Sequence, residues 1–306
     1  MKFISLFSGV GGFDLGLEQA GWKCVYQVEL KKWCFQTLQR NWPHVPKQKD
    51  IRNVNGALIP VADVIVFGSP CQDLSLAGTK LGLDGNRSSL FFEATRIIKE
   101  MRDATQGQFP KYAIWENVPG AFNANGGADF SKVLDTLAEV GALGIEWACL
   151  DAQYFGVPQY RPRLFTVACF CPTRSNRGGR EILYVQHVGR RFIAKSGDAF
   201  RSDPSAPVAM FGGGRTKTWK EREISVTLTA TDKGAFGNGA MYGTKMRRLT
   251  PVEHERLMGW PDNYTAFRLD GKKNTDSSRY EMCGNGVVAP VAKWVAEQIN
   301  LAEIGL

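Results

Sequence analysis

No stretch of this sequence is both long and apolar. Its longest apolar runs are strand-length, well short of the roughly 18 residues that a membrane-crossing helix needs. The hydrophobic start, Phe3 to Phe7, is too short for a signal-peptide core, and Gly9 and Asp14 interrupt it soon after. Histidine is scarce: His44, His187 and His254 are the only ones, and none forms a ligand pair with Cys169 and Cys171. Zinc chemistry is therefore not expected, and no metal site is assigned. Seven cysteines, an odd and scattered set, make no disulfide framework, which points to a reducing cytoplasm. Internal repeats and low-complexity tracts are missing as well. What remains is globular: 306 residues, 43% hydrophobic and 22% charged, enough for one large domain or two of ordinary size.

The charge is uneven. Residues 171–248 hold 15 Lys and Arg against 6 Asp and Glu, while the rest of the chain holds 23 against 24. Nearly all of the net +8 therefore sits in one middle segment, as a polyanion-binding module attached to a near-neutral body would have it. A solvated basic face without a partner is the plain alternative.

Residues 1–170 alternate strand-like and helix-like stretches. Strands are expected at Lys2–Phe7, Lys23–Glu29, Asp63–Phe67, Lys111–Val118, Gly144–Leu150 and Arg163–Phe170. Helices are expected after Gly12 up to Gly21, over Trp33–Trp42, over Ser88–Arg102 and over Phe130–Val140. That alternation predicts an α/β fold with an open parallel sheet covered on both faces. After about residue 171 the texture changes to glycine, serine and arginine, with Ser225–Ala230 a strand candidate, so 171–280 reads as a smaller, irregular, mostly β unit. Helical periodicity returns over Val287–Ile299.

Four constellations carry chemistry. Phe7-Ser8-Gly9-Val10-Gly11-Gly12 links the first strand to the first helix, where glycines allow a tight turn and a close approach of ligand to helix-start amides. Glu29 follows 20 residues after Gly9, the spacing of a carboxylate that accepts from both hydroxyls of an adenosine ribose. Asp14 stands where a dinucleotide fingerprint wants a third glycine, which favours a nucleoside over a pyrophosphate and weakens a nicotinamide-oxidoreductase reading. Pro70-Cys71-Gln72 follows a buried strand, at the edge where open α/β sheets bind ligands, with no base beside the thiol. Glu116 ends another strand among apolar neighbours that should raise its pKa, and Arg161 and Arg163 alternate before the last strand of the series.

Taken together these blocks resemble the DNA cytosine-5 methyltransferases. The resemblance runs over nearly the whole chain, in the family's order: Phe7–Phe13, Glu29, Asp50-Ile51, Gly68–Gln72, Glu116-Asn117-Val118, Gln159–Arg163, Arg248–Glu253 with Gly259–Asp262, and Gly284–Val287. Only the stretch between about 171 and 245, where the family carries its variable recognition region, matches nothing.

The resemblance implies a Rossmann-like S-adenosylmethionine-dependent methyltransferase domain at 1–170 plus 281–306, and a smaller, mostly β target-recognition domain at 171–280. It implies Cys71 as the nucleophile on cytosine C6, Glu116 at ring N3, and Arg161 and Arg163 holding the base carbonyl and active-site loops. For S-adenosyl-L-methionine it implies Phe7, Gly9, Gly11, Gly12, Glu29, Asp50, Ile51, Gly68, Pro70, Leu90, Asn285 and Val287, with residues 73–89 as a loop closing on a flipped base. The expected partner is double-stranded DNA, the expected state a monomer in a prokaryotic or phage-infected cytoplasm, with a companion restriction endonuclease as a further partner. RNA cytosine as substrate and an idle DNA-binding relative are the alternatives; intact Cys71, Glu116 and Arg163 argue against the second.

Overall fold

The structure is a computed structural model that describes residues 1–69, 89–171, 182–183, 209–213, 219–222, 239–242 and 245–304. Pro70, Cys71, the 73–88 stretch and the strand candidate Ser225–Ala230 lie outside the described residues.

Seven strands form the main sheet: β1 (Lys2–Leu6), β2 (Lys23–Val28), β3 (Lys47–Gln48), β4 (Val64–Phe67), β5 (Tyr112–Asn117), β6 (Gly144–Asp151) and β7 (Pro162–Cys169). Their spatial order is β3-β2-β1-β4-β5-β7-β6. Side chains alternate between faces, as pleating requires. Phe3, Val64, Val66, Tyr112 and Ile114 enter one apolar cluster; Ile4, Leu6, Ile65, Phe67, Ala113 and Trp115 enter the other. The first cluster is completed by α1 (Gly12–Gln19) and α8 (Ala289–Glu303), the second by α3 (Ser89–Ala104) and α5 (Ala128–Glu139). Two further helices, α2 (Lys32–Asn41) and the single turn α4 (Gly120–Asn123), follow β2 and β5.

The sheet is not wholly parallel. β1, β2, β3, β4 and β5 run one way, but β7 is antiparallel to both β5 and β6. Only residues 152–161 join β6 to β7, and they hold a 3-10 turn, Ala152–Phe155, where a parallel crossover would need a dozen or more residues. The reversal matters for the site: it brings the start of β7, not its end, to the edge where β1, β2, β4 and β5 terminate.

A second, all-antiparallel sheet has the order β11-β10-β8-β9, from β8 (Ala209–Gly213), β9 (Trp219–Arg222), β10 (Gly239–Tyr242) and β11 (Lys245–Arg248). Beyond it the chain differs from the β texture expected up to 280. α6 (Pro251–Leu257) and α7 (Asp276–Asn285) are helices, and Leu249, Leu257, Met258, Trp260 and Tyr264 join the first cluster of the main sheet. The start of α6 is a capping box: Thr250 Oγ1 accepts from the Glu253 amide, and Glu253 Oε2 accepts from the Thr250 amide at 2.6 Å.

Candidate active site

The edge begins at the glycine turn. Phe7, Gly9 and Gly11 take positive φ, 54°, 57° and 89°, and Gly11 caps α1. Gly12 is required by proximity, because a Cβ there would lie 2.4 Å from the Val287 carbonyl oxygen. The far end of the chain therefore rests on the first turn of α1. Beside Gly9 a Cβ would meet nothing within 4 Å, so that side of the turn is open.

Glu29 closes the turn from β2. Its Oε2 accepts from the Gly9 amide at 2.8 Å and its Oε1 from the Lys31 amide at 2.7 Å. Burial raises its pKa, and these two amides oppose the rise. A carboxylate offers about four acceptor positions, so roughly two remain for a ligand, which is the demand of a ribose diol. The open side of Gly9, the doubly held carboxylate and the Gly12–Val287 approach fit a nucleoside cofactor.

Glu116 lies at the end of β5, paired in register with Phe165 of β7. Its Oε1 stands 3.2 Å from Arg163 Nε, and a Cβ at Gly68 would lie 3.2 Å from its Oε2. Burial pushes the Glu116 pKa up, with the guanidinium groups of Arg163 and then Arg161 opposing. Gly68 and Ser69, directly before Pro70, are fastened to β5: Trp115 Nε1 donates to Ser69 Oγ at 3.1 Å, and Asn117 Nδ2 donates to the Ser69 carbonyl at 3.4 Å. Arg161 is almost wholly buried and donates through Nη2 to the carbonyls of Gly284 and Gly286, at 2.9 and 2.8 Å. It thereby clamps the Gly284-Asn285-Gly286 segment to the sheet. Glu116, Arg161, Arg163, Phe165, Val287 and Val288 line a small cavity between these parts.

The remaining residues divide. Phe7 and Leu90 pack at the margin of the second cluster, where Ile51 is buried, and Asn285 is exposed. Asp50 turns its carboxylate to Arg52 at 2.6 Å, and that hydrogen bond holds its pKa below the ordinary value. Four contributors carry no assigned role in the sequence reading. Asp14 is fully buried and accepts from Gln27 at 2.6 Å, Ser5 at 2.9 Å and Cys24 at 3.3 Å. Tyr264 donates to the Val10 carbonyl at 2.8 Å, beneath the glycine turn. Ser69 and Lys31 complete the set. Asp14 was visible only as a departure from a glycine pattern, and Tyr264 gave no signal. Among the described residues no cluster of three or more His, Cys, Asp and Glu is placed to hold a metal ion.

A seven-stranded sheet of this order, with a glycine turn after β1 and a carboxylate after β2, is a Rossmann-like α/β fold with a nucleoside-binding edge. Two solved structures share that fold over nearly full length on both sides: a DNMT2 variant from Spodoptera frugiperda (TM-score 0.71, 17% identity, 99% of each chain) and the S. pombe Dnmt2 methyltransferase (TM-score 0.71, 16% identity, 100% of each). The sequence model of the C-5 cytosine-specific DNA methylases matches residues 1–176 and 210–301. Among relatives, the type II methyltransferase M.BsuFI of Bacillus subtilis is 36% identical over 99% of this chain and 74% of its own length. The type II methyltransferase M.HhaI of Haemophilus parahaemolyticus is 29% identical over 98% of this chain and 94% of its own. The chain belongs to the C-5 cytosine-specific DNA methylase family, and its activity is DNA cytosine-5 methylation.

Proposed function

We propose that the enzyme takes its methyl group from S-adenosyl-L-methionine and acts on a cytosine flipped out of a specific short site in double-stranded DNA, through a covalent bond from Cys71 to C6. The observation that carries this reading is the little-exposed Glu116 carboxyl, its pKa raised by desolvation, beside Arg163 and against Gly68, three residues before Cys71 in sequence.

The chemistry follows from cytosine itself, whose C5 is too weak a nucleophile to be methylated directly. As the Cys71 thiolate bonds to C6, the C5–C6 π pair moves onto C5, and a proton or hydrogen bond from Glu116 at N3 keeps the ring from accumulating negative charge. Arg163 orients Glu116 and the base carbonyl, while Arg161 keeps the Gly284–Gly286 segment in place. Bound S-adenosylmethionine would supply an electrophilic methyl group for C5. Glu29 would hold its ribose, the Gly9–Gly12 turn its amino-acid end, and Phe7, Ile51, Leu90 and Val287 its walls; Pro70 and Asn285 belong to the same set by family resemblance. Loss of the C5 proton and departure of the thiolate from C6 restore the aromatic ring.

The basic 171–248 segment and the antiparallel sheet within it support a division of labour, with sequence choice in 171–280 and chemistry in 1–170 and 281–306. Monomeric action, a cytoplasmic location and a companion restriction endonuclease belong to the same proposal. None of the six described cysteines is in a disulfide, and among the described residues no helix is long and apolar enough to cross a membrane.

Duplex DNA carrying 5-fluorocytosine tests the proposal, because fluorine at C5 cannot leave as a proton does. The wild-type enzyme should form a denaturation-resistant adduct on duplex DNA and not on tRNA, and Cys71→Ala should form none. An adduct mapped to another cysteine, or methylation surviving in Cys71→Ala, overturns the mechanism.

A further inference from the structure

The contacts around the glycine turn close into a ring. Glu29 holds the amides of Gly9 and Lys31 at 2.8 and 2.7 Å, and Lys31 Nζ then reaches Glu281 Oε1 at 2.6 Å, 250 residues further along the chain. Glu281 lies on α7, whose end offers the Gly284 carbonyl, and with it that of Gly286, to Arg161. The chain then passes Val287 over Gly12 and so returns to the turn. Most links in this ring are made by backbone or by buried groups. The Lys31–Glu281 pair differs: its side chains are 47% and 20% exposed. At the rim beside it stand two exposed side chains, Leu30 and Asn285.

We propose that Lys31 and Glu281 are positioning residues whose ion pair straps the Glu29 wall of the cofactor pocket to its α7 wall and sets how long the cofactor stays bound. The proposal rests on the S-adenosylmethionine reading above. A half-exposed pair adds little to folding, since solvent screens it and two long side chains lose freedom in making it. The same weakness suits a closure that must open for every exchange of cofactor. Changing either side chain leaves the Lys31 amide on Glu29 and the Arg161 clamp on α7, so both walls survive while their mutual hold is lost.

Isothermal titration of the full chain with S-adenosylmethionine and with S-adenosylhomocysteine, without DNA, is the direct test. Lys31→Met and Glu281→Gln should each raise Kd about fivefold, mainly through a faster off-rate, with the unliganded melting temperature unchanged. In steady state the KM for the donor should rise while kcat at saturation stays within about twofold. The exchanged pair, Lys31→Glu with Glu281→Lys, should return the affinity to within about twofold of wild type. Wild-type affinity in both single variants overturns the strap, and so does failure of the exchanged pair to recover in a protein that melts normally. Should Glu29→Gln bind both nucleosides as tightly as wild type, the cofactor assignment itself fails instead.

Discussion

Two stretches of one sheet edge each present a glutamate with little exposure, and the proposed mechanism uses the two in opposite ways. At the β1–β2 end, Glu29 meets two backbone amides, which cannot move and cannot take its proton. At the β5–β7 end, Glu116 meets a guanidinium side chain at 3.2 Å and the open backbone of a glycine. Burial raises both pKa values, with backbone amides opposing at Glu29 and the guanidinium groups of Arg163 and Arg161 opposing at Glu116; in the proposed mechanism the first serves as a fixed acceptor and the second as the proton donor. The lesson is that burial alone does not assign an acid. What faces the carboxyl matters as well, and two rigid backbone dipoles suit recognition.

The sharpest way to break this contrast is Glu116→Gln, which keeps the shape and removes the transferable proton. Methyl transfer should fall by about 10²–10⁴ in single-turnover assays, with donor affinity within about twofold of wild type. The pH profile carries the sign. Because burial raises the pKa, the wild-type carboxyl keeps its proton above the ordinary carboxylate range, and the rate should drop as pH rises through that raised value. Glu116→Gln should lose this limb; a limb retained in the variant would assign it to another group.

Next in size is Arg161→Met, which would leave the Gly284 and Gly286 carbonyls without their donor. Leaving buried acceptors unmet costs about 2–4 kcal/mol in total, read as a fall in unfolding free energy in urea. If Arg161 instead acted chiefly on the base, stability would be unchanged while kcat collapsed.

A smaller effect is expected at the other carboxylate. Glu29→Gln replaces an acceptor by an amide that must turn one donor toward an existing N–H, and it should weaken donor binding by about 10- to 100-fold. Its kcat at saturating donor should fall far less than that of Glu116→Gln. Equal losses in kcat from both variants would erase the distinction drawn between the two ends of the edge.

The smallest effect concerns Asp14, below the glycine turn. Burial raises its pKa, so the folded chain holds the proton more tightly than the unfolded chain. The stabilisation is fully present below the unfolded pKa and is lost as pH rises through the raised folded value. Melting temperature across about pH 4 to 8 should therefore decline less steeply in Asp14→Asn than in wild type. Parallel slopes would mean that the carboxyl is ionised at both ends of that range.

Much of the architecture was legible in local pattern. Apolar β-branched runs such as Val64–Phe67 announce buried strands, and Gly21 and Pro43 mark where α1 and α2 give out. Thr250-Pro251 with Glu253 is equally a local signal for a helix start, one obscured by the glycine- and arginine-rich texture before it. The Glu29 spacing from Gly9 also survived intact, because both ends of that hydrogen bond are set by adjacent parallel strands.

By itself the sequence determined the residue types and the order of the blocks: a glycine turn, a carboxylate 20 residues later, a Pro-Cys after a buried strand, a desolvated glutamate, two alternating arginines and a basic insert. These are local quantities, fixed by composition and spacing along one strand or turn. Tertiary structure alone decided the direction of β7, and with it whether Arg163 reaches Glu116 and Arg161 lines the same cavity, since strand direction depends on how a ten-residue connection is accommodated. It likewise decided that Arg161 grips backbone carbonyls 123 and 125 residues away, and that Lys31 reaches Glu281 across 250. Contacts at such separations leave no periodicity in the chain, because nothing near either partner in sequence requires the other.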